Sequence, residues 1–205
     1  GLIMQELEAG DSALRTCASV QGALAMSAIA LFGSEQQKEY WLPLLASGQK
    51  LGCFGLTEPS HGSDPGSMDT TASLQDGRWI INGSKTWIGH ATIADVAVIW
   101  AKVSDDPNVN DIPDSAIRGF LVDTKSTGYS ASQIKGKLSL RASTTGCIEL
   151  ENCIAEEASI LPNATGLNGP LACLDQARYG IAFGVVGAAQ SCFKQARDYA
   201  LERIQ

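Results

Sequence analysis

The stretch from Phe54 to Asp64 (FGLTEPSHGSD) directly follows a short apolar run and crowds two glycines, two serines and a threonine into a few positions. A turn of that composition can present backbone N–H groups and hydroxyls to a phosphate or to the polar edge of a ring. The same composition also suits a purely structural turn. Far upstream, Arg15 and Ser19 lie four residues apart and share one face of any helix that contains them. The six cysteines (17, 53, 147, 153, 173 and 192) include no CxxC pair, and His61 and His90 are the only histidines. That inventory argues against a structural zinc site and a disulfide framework, and no metal ligands are assigned. Cysteine used as a small core residue points instead to a reducing compartment.

The elements that must position these groups fall into three zones with no Pro/Gly/Ser-rich linker and no internal repeat between them. Residues 1–50 carry helical patterning. Asp11 or Ser12 can cap a helix running towards Leu31, and Ser34 with Gln37 forms a capping-box signal for a second helix that Pro43 should interrupt. Residues 51–165 change to short β-type runs at 53–56, 71–74, 79–82, 96–100, 120–122 and 147–150, with Asp76-Gly77 as a hairpin turn between two of them. Strands without intervening helices predict an antiparallel sheet closed as a barrel or sandwich, hence an α+β chain. Residues 166–205 return to helical patterning after Gly169-Pro170. Gly180, Gly184, Gly187, Ala188 and Ala189 would let a neighbouring helix come close, and an apolar face between Gly180 and Phe193 is expected to be exposed if no partner covers it. Both termini fall in mid-helix pattern, as in a chain cut at each end. No GxGxxG, GxxxxGK[ST] or GxSxG string supports a dinucleotide fold, a P-loop or a hydrolase elbow.

Composition narrows the function further. The 205 residues are 44% hydrophobic and 18% charged, enough for one large or two small globular units and unlike a disordered or collagenous chain. Lysine plus arginine is 15 against 22 acidic residues, a net charge of −7 with no basic run, which disfavours nucleic acid as a partner. The longest apolar stretch, Cys17 to Phe32, is alanine-rich and broken by Ser19, Gln21, Gly22 and Ser27. It predicts a closely packed helix rather than a membrane span.

Four strings in order, Phe54 to Asp64, Asn82 to Ile88 (NGSKTWI), Lys137 to Ser143 (KLSLRAS) and Leu174 to Tyr179 (LDQARY), resemble the acyl-CoA dehydrogenase family across essentially the whole chain. The resemblance implies a helical N-terminal part, a central β-domain, the start of a C-terminal helical bundle, and FAD as cofactor. It implies that Thr57 bonds the flavin's pyrimidine edge and Ser63 the pyrophosphate, with Trp87 beside the ring and Phe54, Leu56, Gly62, Ile88 and Gly89 around them. Ser63, Asp175, Arg178 and Tyr179 correspond to positions that hold acyl-CoA. Taken alone, a strand Trp is ordinarily core, and an Asp and Arg three apart on a helix are ordinarily a surface pair.

Glu8, Arg15 and Ser19, together with the run from Gln176 to Ala182, resemble the glutaryl-CoA dehydrogenase branch. There an arginine and a serine hold the distal carboxylate of the acyl chain, with a glutamate nearby. The guanidinium fork suits a carboxylate because two parallel N–H bonds satisfy a charge that is costly to bury alone. The implied reaction removes the α-proton with a glutamate and passes hydride to the flavin, with decarboxylation to crotonyl-CoA as a further step. The family's glutamate belongs to a segment downstream of these residues. No catalytic residue is therefore assigned, and the isolated chain is expected to be inactive.

Gly89 stands where many dehydrogenases carry threonine. It leaves a small space that keeps an acyl-CoA oxidase-like flavoenzyme open as an alternative, beside a non-catalytic acyl-CoA- and flavin-binding fragment. The resemblance further implies a homotetramer in the full-length protein, an electron-transfer flavoprotein as electron acceptor, and a bacterial cytoplasm or mitochondrial matrix as location.

Overall fold

Asp11 breaks the first helical zone in two. In the computed structural model, which describes residues 1–104, 113 and 116–205, it ends α1 (Leu2–Gly10), and its carboxylate caps α2 (Ser12–Ser19) by accepting from the Ala13 N–H at 2.6 Å. The chain stays helical from α2 through a π-helical segment, Val20–Met26, into α3 (Ser27–Phe32). The expected single helix thus runs its predicted course but contains an unpredicted wider turn. Ser12–Phe32 is long and apolar enough to cross a bilayer by length and composition alone. Here Ala13, Val20, Ala25, Ala28 and Ile29 form its buried stripe. α4 (Glu35–Ala46) starts with the expected capping box between Ser34 and Gln37. Pro43 does not interrupt it, because its ring lies on the exposed face, where water can satisfy the carbonyl that loses a donor, while Leu45 is buried beyond it.

The middle zone forms a seven-stranded sheet: β1 (Gly52–Gly55), β2 (Thr71–Gln75), β3 (Arg78–Gly89), β4 (Val96–Val103), β5 (Ile117–Asp123), β6 (Tyr129–Gln133) and β7 (Thr145–Glu156). Asp76 and Gly77, both at positive φ, make the β2–β3 hairpin turn as the sequence predicts. β3–β7, β6–β7 and β4–β5 are also antiparallel. The sheet is nevertheless mixed, because β1 and β2 both pair in parallel with β4. The mixed pairing has a simple geometric cause: β1 and β2 lie end to end along the same edge of β4. The chain leaves β4 opposite Ile99 and rejoins it opposite Lys102, and residues 56–70 form the excursion between.

The curved sheet wraps a half-barrel core that includes Cys53, Ile81, Ile99, Phe120 and Ile148. A second core, with Ile29, Leu45, Phe54, Val98 and Trp100, fills the space between sheet and helices. β4 is apolar on both faces because it serves both cores, Ala97 and Ile99 on one side and Val98 and Trp100 on the other. From Asn168 the chain runs into α5 (Asn168–Glu202), which packs against α1. The outer side of α5 carries exposed Ile181, Val185, Val186 and Phe193, the uncovered apolar face that its sequence predicts.

Candidate functional site

The excursion of residues 56–70 is clamped to β3 from beneath. Lys85, 0% exposed, donates from Nζ to the Leu56 carbonyl at 3.2 Å and to Glu58 Oε1 at 2.7 Å. Glu58 also accepts from the Asp69 N–H (2.6 Å), the Thr70 N–H (3.1 Å) and the Thr70 hydroxyl (2.5 Å). Between these anchors, the Thr57 carbonyl accepts from the Thr86 N–H at 2.8 Å. Leu56, Thr57 and Glu58 are therefore each fixed to the strand below. Gly83, at φ 145°, lets β3 pass the same knot, since a Cβ there would stand 2.4 Å from Thr70 Oγ1. Burial pushes Lys85 down to about 8, and the neighbouring carboxylate keeps it from falling further. Burial would raise the Glu58 carboxyl, but the Lys85 charge and the hydrogen bonds from Lys85, Thr70 and the Asp69 N–H outweigh it and hold the group below its ordinary value. Both members are charged at neutral pH, and every contact of the pair lies within the fold.

Above this clamp lies a cavity of about 350 Å³. β1 contributes Phe54; the excursion contributes Leu56, Thr57, Gly62, Ser63 and Pro65; β3 contributes Trp87, Ile88 and Gly89; α5 contributes Leu171, Leu174 and Arg178. The π-helical segment adds Val20 and Leu24, in keeping with the tendency of wider turns to occur at functional sites. All eight residues assigned by sequence to the cofactor thus converge, together with Arg178. Trp87 is not core: it sits at φ 62° beside a β-bulge and is 63% exposed, so the indole offers a face to the cavity. Strain of this kind in a bulky residue requires a surrounding structure that enforces it. The Thr57 and Ser63 hydroxyls make no hydrogen bond with any described residue.

A second cavity of about 440 Å³ shares Val20, Trp87 and Gly89 with the first and is closed by Thr16 and the loop 137–143. Lys137 braces that loop, donating to the Leu140 and Ser143 carbonyls and to Thr145 Oγ1. The sequence singled out this string without giving it a role. Val20 and Leu24 were also missed, since nothing in an alanine-rich helix marks which residues face a cavity. Gly89 lines both cavities, as the space expected beside it requires, and a Cβ there would stand 3.0 Å from Val20 Cγ2.

Glu8, Arg15 and Ser19 come together, but outside both cavity linings. They are buried where α1, α2 and α5 meet, and the Arg15 Nε donates to Glu8 Oε2. No described residue bonds the two terminal nitrogens of Arg15 or the Ser19 hydroxyl. Arg15 is only 7% exposed. These unbonded atoms are not sealed off from solvent, so the cluster keeps guanidinium and hydroxyl donors available to an added acceptor. Asp175 and Arg178 form an exposed pair at 2.7 Å on α5, and Tyr179 beside them is exposed and meets Phe183 with the two rings tilted at 53°. Of the three, only Arg178 reaches the first cavity.

Glu58, His61 and Asp69 bring one ligand atom each to within 4.8 Å of one another. Glu58 is already committed to Lys85 and Thr70, so the trio is no open ligand set. No carboxylate lines either cavity among the described residues.

Residues 1–49 match the family model for the acyl-CoA dehydrogenase N-terminal domain, and residues 53–153 match that for the acyl-CoA dehydrogenase middle domain. The chain is 34% identical over 204 residues to the human mitochondrial short-chain specific acyl-CoA dehydrogenase, covering 99% of itself and 48% of that protein. It superposes with a TM-score of 0.92 and 50% identity on a glutaryl-CoA dehydrogenase from Mycobacterium smegmatis, covering all of itself and 50% of that chain. A glutaryl-CoA dehydrogenase from the same organism, in complex with FADH2, gives a TM-score of 0.93 at 46% identity over the whole of this chain and 50% of the other. The chain thus spans about half the length of the relatives it matches.

Proposed function

Because the chain belongs to the acyl-CoA dehydrogenase family, we propose that it supplies the flavin- and acyl-binding surfaces of an FAD-dependent dehydrogenase acting on a dicarboxylyl-CoA of the glutaryl type. The observation that carries the substrate class is the buried Arg15, whose terminal donors have no acceptor among the described residues. A fatty-acyl pocket has no use for such a group. A distal carboxylate would accept from the guanidinium and from Ser19, while Glu8 holds Nε and so fixes the fork's orientation.

The first cavity suits FAD on its own chemistry. Phe54, Leu56 and Ile88 give it an apolar wall and Trp87 a flat face, and the hydroxyls of Thr57 and Ser63, which no described residue bonds, provide polar contacts for a ring edge and a phosphate. When bound, the flavin supplies the hydride acceptor that protein side chains lack. The chain's own work is placement. The Lys85 and Thr86 anchors hold Thr57 at the rim, Trp87 blocks one face, and Asp175, Arg178 and Tyr179 meet the coenzyme A portion. Among the described residues no carboxylate lines either cavity, so none of them is assigned to accept the α-proton. The exposed apolar face of α5 supports packing against further helices in a homotetramer. Electron transfer to an electron-transfer flavoprotein follows from the family resemblance.

The test is the visible flavin spectrum of the full-length protein without oxygen, titrated with glutaryl-CoA and with butyryl-CoA. Glutaryl-CoA should bleach the oxidised band. Arg15→Ala should raise the glutaryl-CoA concentration needed by about 10- to 100-fold, the scale of lost charge-assisted hydrogen bonds, and shift butyryl-CoA far less. Equal loss for both ligands would reduce Arg15 to a packing role.

A further inference from the structure

Three glycines on α5 face the first two helices, and the structure gives each a different neighbour. At Gly187 an added Cβ would stand 1.9 Å from the backbone carbonyl of Gln5, so this glycine sets how closely α1 and α5 approach. At Gly180 it would lie 3.6 Å from Met4 and 3.9 Å from Ser19 Oγ, ordinary contact distances. At Gly184 it would lie 2.6 Å from Glu8 Oε2 and 3.3 Å from Arg15 Nε, the two atoms that make the buried ion pair.

We propose that Gly184 is a specificity-determining residue, providing the room in which Glu8 orients the Arg15 fork towards an acid-ended acyl chain. This rests on reading Arg15 as the carboxylate site. The atom a methyl would strike is the far end of a flexible side chain, so Gly184→Ala can be accommodated by moving the Glu8 carboxylate while the backbone stays in place. That movement takes away the acceptor for Arg15 Nε and leaves the fork free to turn. A fork turned away from its bound direction loses the parallel geometry on which bidentate recognition depends. Gly184 never touches the substrate in this account; it acts through Glu8 and Arg15 as a positioning residue. The other two glycines predict different outcomes. Gly187→Ala pushes helices apart, and Gly180→Ala is tolerated.

The experiment uses the full-length holoenzyme and compares kcat/KM for glutaryl-CoA and butyryl-CoA, with flavin content and circular dichroism as checks on folding. Gly184→Ala should lower the glutaryl-to-butyryl ratio by on the order of tenfold, mainly through KM for glutaryl-CoA, the scale of one misplaced charge-assisted hydrogen bond. Gly180→Ala should keep the wild-type ratio. The double variant E8D/G184A, in which the shorter acid withdraws from the added methyl, should recover most of the selectivity. It also decides the matter should G184A fail to fold. An unchanged ratio in G184A, an equal loss for both substrates, or a double variant that folds without recovering selectivity would each overturn the proposal. The Arg15→Ala titration judges the carboxylate site separately. A selective R15A with an unselective G184A would leave that site standing and remove only the role of Gly184.

Discussion

Two buried ion pairs lie in this chain, and they differ in what their remaining hydrogen-bonding groups do. Glu58–Lys85 is closed: its carboxylate meets Lys85, Thr70 and the Asp69 N–H, and its ammonium meets Glu58 and the Leu56 carbonyl. Glu8–Arg15 is open: one guanidinium nitrogen is paired, and the other two, with the Ser19 hydroxyl, reach no acceptor among the described residues. Similar burial therefore accompanies different arrangements. The first pair is met wholly within the fold and specifies where a loop goes, whereas the second leaves guanidinium donors available to an added acceptor, which is what the proposed carboxylate site requires.

The largest test of this contrast removes one member of the closed pair. Lys85→Met keeps much of the aliphatic stem beneath Gly55 but leaves the Glu58 carboxylate buried without its counter-charge. Denaturant unfolding should show a loss of about 3–5 kcal/mol. The double variant K85M/E58Q should recover part of it, since no lone charge is left behind. A K85M cost below about 1 kcal/mol would mean that the loop holds itself in place.

Acid should weaken the same clamp more gently, since protonating Glu58 removes its charge but leaves its neighbours in reach. The Glu58 carboxyl lies below its ordinary value of 4.5 in the folded chain. The unfolded state therefore binds the proton first as pH falls, and the stability this group provides is full above about 4.5 and is lost on descending through the depressed folded value. Urea titrations between pH 6 and 3 should show that decline, with a shallower slope in Glu58→Gln. His90 adds to it earlier. Burial lowers its pKa, partly offset by its hydrogen bond to the Gly52 carbonyl, so stability begins to fall as pH drops through 6.5.

The open pair is probed by Arg15→Lys, which keeps the charge and loses the fork. Selectivity for glutaryl-CoA over butyryl-CoA should drop by about tenfold, or 1.4 kcal/mol. Retained selectivity would show that charge alone is read there.

How much of this was visible in the sequence follows from how local each feature is. The capping box at Ser34, the Asp76-Gly77 turn and the order of helices, strands and helix rest on near neighbours, and all were legible. Strand partners were not, because a short apolar run does not state whether it will pair in parallel. β6 was overlooked since Tyr129–Gln133 is largely polar, as an edge strand can be. β3 runs past Asn82 only because Gly83 and Trp87 accept positive φ within it. The loop after β1 stood out through its motif, yet the Lys85 beneath it pairs with a residue 27 positions away and leaves no local trace. Glu8 and Arg15 sit seven apart, but on two helices divided at Asp11 and roofed by Gly184. Sequence suggested that the small residues of α5 admit a helix without saying that α1 would fill the place.

The mildest prediction concerns a third pair that is neither closed nor buried. Asp175 and Arg178 face solvent on α5, 70% and 64% exposed. Exposed pairs of this kind contribute about 0–1 kcal/mol, so Asp175→Ala should leave the unfolding midpoint almost unchanged. If the pair only decorates a helix, nothing else should change either. Arg178, however, also lines the first cavity, and Asp175 holds its guanidinium by a single bond at 2.7 Å. Under the acyl-CoA reading, D175A should therefore weaken coenzyme A binding severalfold by calorimetry while its stability stays at the wild-type value. Affinity and stability would then separate at this exposed pair, whereas at Lys85 they should fall together. Equal affinity in wild type and D175A would confine coenzyme A recognition on α5 to Arg178 and Tyr179.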